Sequence, residues 1–137
     1  MNKWEQFPHS ADIGIRGLGE SKEIAFVMAA KALTSVVSDL ELINPEIKIE
    51  INCEEPDDEY LFYDWLNGII FEMDTKSMLF SEFEVIISEN KLKGILKGEM
   101  LDQNKHHPRV EIKGATLTEL KVKENNGQWI AQCVVDV

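Results

Sequence analysis

After the stretch "YLFYDWLNGIIFEMD", which ends at Asp74, this 137-residue chain shows no further helical period. The residues beyond it read as short alternating runs: "FEVIIS", "KLKGILKGEM", "RVEIKG", "ELKVKE" and "QWIAQCVVDV". Glu89-Asn90 and Asn126-Gly127 separate such runs as turn dipeptides, and the second is the clearest hairpin signal in the chain. A doubly wound parallel sheet needs a crossover helix between successive strands, which this half cannot supply. The expectation is an α+β domain: a largely antiparallel sheet with two helices packed on one face. In the last strand Trp129, Ala131, Cys133 and Val135 take one face, and Ile130, Gln132, Val134 and Asp136 the other.

The first half supplies both helices. In "FPHSADIGIRGLG", residues 7–19, a loop carrying His9 and Asp12 leads into a strand in which Ile13, Ile15 and Leu18 interleave with Gly14, Arg16 and Gly17. The period then changes. Ile24, Met28, Ala32 and Val36 stack, with Ala25, Ala29 and Leu33 beside them, which predicts a helix capped at Ser21 and ending near Ser38-Asp39. "EIKIEINC" alternates as a half-buried strand, with Ile47, Ile49, Ile51 and Cys53 on one side. "EEPDDE" is five acids in six residues, and its position before an apolar stripe marks it as a helix start with Asp57 as the cap. The second helix carries Leu61, Trp65 and Ile69 in one row and Phe62, Leu66, Ile70 and Met73 in the next. Asp64 and Asn67 flank that stripe, where polar side chains ordinarily make structural hydrogen bonds.

Composition narrows the functional classes. Twenty-five acids against 14 bases give a formal charge of -11, which repels phosphate backbones and argues against strong direct binding of nucleic acid. Cys53 and Cys133 are isolated, as expected of reduced thiols in the cytoplasm. The start "MNKWEQFPHS" lacks a signal-peptide core, and no apolar run is long enough for a membrane span. No repeat or low-complexity linker interrupts residues 1–137, so one domain is expected; oligomeric state is left open.

No GxSxG, P-loop, HExxH or dinucleotide fingerprint is present, and neither cysteine has a catalytic signature. The remaining chemistry is that of oxygen. If the first and last strands are neighbours, Asp12 and Asp136 converge, with the Val137 carboxylate adding further oxygens. Such a group calls for a hard divalent cation, Ca²⁺, Mg²⁺ or Mn²⁺, or for a basic partner; the alternative is a solvated strand end. His9 could join as a ligand or fix the turn. "GEMLDQNKHHPRV" gathers Glu99, Asp102, Lys105, His106, His107 and Arg109 in a polar connection, either a plain surface loop or a functional one.

Taken together, "HSADIGIRGLG", "EIAFVMAAKAL", "YDWLNGIIFEM", "KGEMLDQNKHHPRVEIKGAT" and "WIAQCVVDV" resemble the archease family along essentially the whole chain. The resemblance implies an α+β fold related to strand-helix-strand-strand modules. It also implies an accessory role, without catalysis of its own, toward an RtcB-type GTP-dependent RNA ligase in tRNA splicing or RNA repair. There the family promotes guanylylation of the ligase's active-site histidine and restores multiple turnover. By position, Asp12 and Asp136 with Val137 match the family's metal-associated acids, with Ca²⁺ the first expectation. Lys105 and His106 match its polar loop, and with His9 they are candidate partner contacts. Where the family often carries Tyr-His, this chain has Leu117-Thr118. Two other roles stay open: a chaperone of another RNA-processing enzyme, such as a tRNA methyltransferase, or a small metal-dependent hydrolase.

Overall fold

Two capped helices set the frame. Ser21 accepts a hydrogen bond from the Ile24 N–H and starts α1, Lys22–Val37; Asp57 accepts from the Glu59 and Tyr60 N–H groups and starts α2, Asp58–Lys76. The acids after Asp57 thus sit at the positive end of the α2 dipole, as the sequence predicts. The structure, a computed structural model, describes all residues from Met1 to Val137. Its strands are β1 (Lys3–His9), β2 (Asp12–Gly19), β3 (Ile47–Glu54), β4 (Met78–Ser88), β5 (Lys91–Met100), β6 (Gly114–Ala115), β7 (Lys121–Asn125) and β8 (Gln128–Asp136). A 3-10 turn at Leu40–Leu42 and a four-residue helix, α3 (Gln103–His106), complete the chain. No helix is long and apolar enough to cross a membrane.

The α+β class and the antiparallel pairing stand, but the strands divide into two sheets rather than one. The larger runs β1-β2-β8-β6, with β7 also pairing β8; the smaller runs β3-β5-β4. Every strand pair is antiparallel. Both long helices touch strands of both sheets, so they bridge the sheets instead of covering one face of a single sheet. No residue of α1 is fully exposed. The core joins Phe26 and Leu33 of α1, Phe62, Trp65 and Ile69 of α2, Phe80 of β4 and Ile15 of β2 in one cluster of 28 buried residues. Trp65 is wholly buried; its indole N–H donates to the Phe26 carbonyl at 3.0 Å and its ring meets Phe83 edge-on at 6.3 Å.

Two further expectations need correction. His9 does not lie in a loop: the segment before it is β1, which pairs with β2 from Lys3↔Leu18 to His9↔Asp12. Ser10 turns the hairpin with φ at 51°. "RVEIKG" is not a strand apart from its last residue, because only Gly114 and Ala115 join the ladder. Upstream of them the backbone turns to α1, where the Arg109 N–H donates to the Val37 carbonyl.

The glycines of "GIRGLG" now have a reason. Gly17 and Gly19 leave room for the α1 backbone, since a Cβ at Gly17 would strike the Ala25 carbonyl and the Ala29 nitrogen. Gly14 faces the other way and makes room for the Phe7 ring, over which the Arg16 guanidinium lies at 4.6 Å.

Candidate functional site

The antiparallel register assembles an acidic rim. β2 pairs with β8 from Gly19↔Trp129 to Ile13↔Val135, and the next step of that ladder sets Asp12 beside Asp136. Asp12 also pairs with His9 across the β1–β2 hairpin, while Asp136 pairs with Gly114 of β6. His9, Asp12 and Asp136 therefore form one row across three adjacent strands. By strand alternation this row shares the sheet face of Phe7 and Arg16, opposite to the face of Ile15 that packs on α1. Asp12 is half-buried and Asp136 exposed, and neither makes an ion pair or a side-chain hydrogen bond. Val137 follows, half-buried against the core.

Two carboxylates on facing backbone positions are a hard-oxygen donor set. The chain nowhere brings three or more His, Cys, Asp or Glu side chains into a chelating group. A divalent cation at Asp12 and Asp136 would thus draw further ligands from water or from a partner. The residues fit an open, shared site and not a closed cage.

The rim is braced from behind. Asn67 of α2 accepts the Ala115 N–H at 3.0 Å, and Gly114 beside it pairs with Asp136. The Lys113 N–H donates to the Asp136 carbonyl at 2.8 Å. The structural hydrogen bond expected of Asn67 is therefore one that fixes the strand flanking the acid row. At Leu117-Thr118, Leu117 is exposed, and the Thr118 carbonyl accepts the Val134 N–H and so extends the pairing along β8.

The polar connection is built around Glu99. Its Oε2 lies 2.7 Å from the Lys105 ammonium and 2.8 Å from His106 Nε2, and accepts the Asn44 backbone N–H at 3.0 Å. Lys105 first, then the Asn44 N–H and His106, hold the Glu99 carboxyl down to about 2. The Asp102 N–H donates to His106 Nδ1 at 2.9 Å, so Nε2 carries the ring proton and donates to Glu99. The Ser38 hydroxyl donates to the His106 carbonyl at 2.6 Å. His106 is 1% exposed. Its ring ties Asp102 to Glu99 and its carbonyl ties the loop to the end of α1; the buried ring offers no surface to a partner, which corrects its reading as a contact residue. Lys105 is partly exposed, and His9 half-buried at the rim. Asn44 and Ser38 belong to this network, yet nothing in their sequence surroundings marks them.

Loop and rim share one end of the molecule. Arg109, bonded to Val37 at the end of α1, and Lys113, bonded to Asp136, are four residues apart, a span of at most about 14 Å. Elsewhere burial pushes the Cys53 thiol up to about 11, with the charges of Asp64 and Glu55 adding to it, and the Cys133 thiol up to about 12. Both cysteines are free.

Comparison with known proteins decides the family: residues 4–137 match the model of the Archease protein family. The chain belongs to the archease family. "Protein archease" of Methanopyrus kandleri is 38% identical over 138 residues, covering 98% of this chain and 99% of that one. The Pyrococcus furiosus archease is 37% identical over the full length of both. The solution structure of Methanobacterium thermoautotrophicum protein 1598 superposes with a TM-score of 0.87 at 30% identity, covering 98% of each chain. The Thermotoga maritima crystal structure, described as "an archease, possible chaperone", shares the fold with a TM-score of 0.59 at 22% identity, covering 97% of this chain and 96% of that one.

Proposed function

We propose that this archease activates an RtcB-type GTP-dependent RNA ligase, promoting guanylylation of the ligase and its multiple turnover, and that it does so without catalysing a reaction of its own. The observation that carries the reading is the juxtaposition of Asp12 and Asp136 by the β2–β8 register, on a chain with a charge of -11. An RNA-binding enzyme is basic around its active site, so such a surface approaches it with electrostatic help. The rim docks at the ligase's nucleotide site, where the Asp12 and Asp136 carboxylates bind a divalent cation, Ca²⁺ in the first instance. A cation held there by Asp12 and Asp136 would supply positive charge to the nucleotide. The protein's part is to hold both carboxylates at one sheet end and to favour, by differential affinity, the ligase conformation competent for guanylylation. His9 and Lys105 flank the contact.

The test is single-turnover guanylylation of the ligase with GTP, with and without this protein. Asp12→Ala and Asp136→Ala are each expected to reduce the stimulation at least tenfold while leaving the unfolding midpoint within a degree or two. Full stimulation by the Asp12→Ala protein overturns the site. Nucleotide or phosphoester hydrolysis by the purified protein with a divalent metal would favour the hydrolase reading instead.

A further inference from the structure

A groove of about 680 Å³ opens at the same end of the molecule, between the C-terminal ends of α1 and α2 and the connection that follows β5. Its apolar wall includes Val37, Met73, Met78, Leu101, Val110 and Ile112. Two of the chain's five methionines, Met73 and Met78, line it. Methionine is unbranched and polarisable, and it accommodates apolar side chains of varied shape.

The charge of the groove selects the occupant. Its one cation, Arg109, is already engaged by Asp39 and by the Ser35 carbonyl. Its acids, Asp74 and Glu111, have no ion pair and no side-chain hydrogen bond. Two helix C-termini end there and add negative potential. A second copy of this chain, with 25 acids against 14 bases, is a poor match for such a margin. Glu111 also stands two residues from Lys113, whose backbone N–H donates to the Asp136 carbonyl, so the groove and the acidic rim lie near one another in the chain.

We infer that this groove docks a basic segment of the partner protein, seating an apolar side chain between the helix ends with Lys or Arg beside Asp74 and Glu111. The inference deepens the ligase reading, on which it rests for the identity of the partner, but its test needs no ligase. A 12-residue peptide of alternating Leu and Lys is titrated into the ¹⁵N-labelled protein, alongside a Leu/Glu peptide and a Ser/Lys peptide. The Leu/Lys peptide is expected to shift the amides of Val37, Met78, Leu101, Val110 and Ile112, and the Leu/Glu peptide to leave them unmoved. Asp74→Lys with Glu111→Lys is expected to weaken binding at least tenfold, and the gentler Asp74→Asn with Glu111→Gln at least threefold. Shifts centred elsewhere overturn the inference. Equal binding of the Ser/Lys peptide does so too, since that is charge attraction without an anchor. Shifts of the same amides on raising protein concentration alone would make a second copy the occupant and overturn it as well. If Asp12→Ala leaves ligase stimulation intact while the groove still takes the Leu/Lys peptide, the rim reading fails and the groove stands.

Discussion

Glu99 shows how much one side chain organises here. It receives a lysine ammonium, a backbone N–H and a neutral imidazole, so its charged form is strongly favoured in the folded protein. A carboxyl whose folded pKa lies near 2, below its ordinary 4.5, contributes stability that is complete above 4.5 and is lost as pH falls toward 2. Urea unfolding of the parent and of Glu99→Gln across pH 2–7 is therefore expected to show a gap at pH 5–7 that closes below 4.5. A gap that is flat, or that widens in acid, would contradict this assignment. Replacing His106 would loosen the same loop from the inside, because its buried ring connects Asp102 to Glu99.

At the scale of elements, the clearest prediction concerns the contact of β2 with α1. Gly17→Ala thrusts a methyl into the backbone of α1 at Ala25 and Ala29, where neither side can yield locally. A loss of about 1–3 kcal/mol in urea unfolding is expected, as for overpacking elsewhere; a variant within 0.5 kcal/mol of the parent would show that the helix shifts freely. α1, β3 and α2 could be read from periodicity because each packs regularly spaced apolar residues against a continuous core. β1 could not: Lys3, Trp4, Gln6 and Pro8 are exposed along an edge strand, so its alternation carries little apolar signal. "RVEIKG" misleads for the opposite reason, alternating in sequence while its backbone covers the end of α1. Nor does alternation name a strand's partner, which is why the division into two sheets was hidden. The two acids were visible from their flanking strands, but their adjacency required β8 to pair with β2. The burial of His106 depended on Ser38 and Asn44, far away in sequence.

For the molecule as a whole, the charge of -11 is a prediction about association, not about fold. Binding to the ligase is expected to weaken several-fold between 50 and 500 mM NaCl, mostly through a slower on-rate, because screening shortens the reach of the acidic end. Surface plasmon resonance at graded salt measures this, and an affinity that holds or rises with salt would argue against electrostatic docking. The position of β8 has a different consequence, one for biosynthesis. This strand lies at the middle of the larger sheet, joined to β2 by residues more than a hundred positions away. During translation β1 and β2 can form their hairpin early, but the outer edge of β2 stays unpaired until residues 128–136 have been added. A nascent chain halted before that point carries an open sheet edge, and only one of the two acids of the rim.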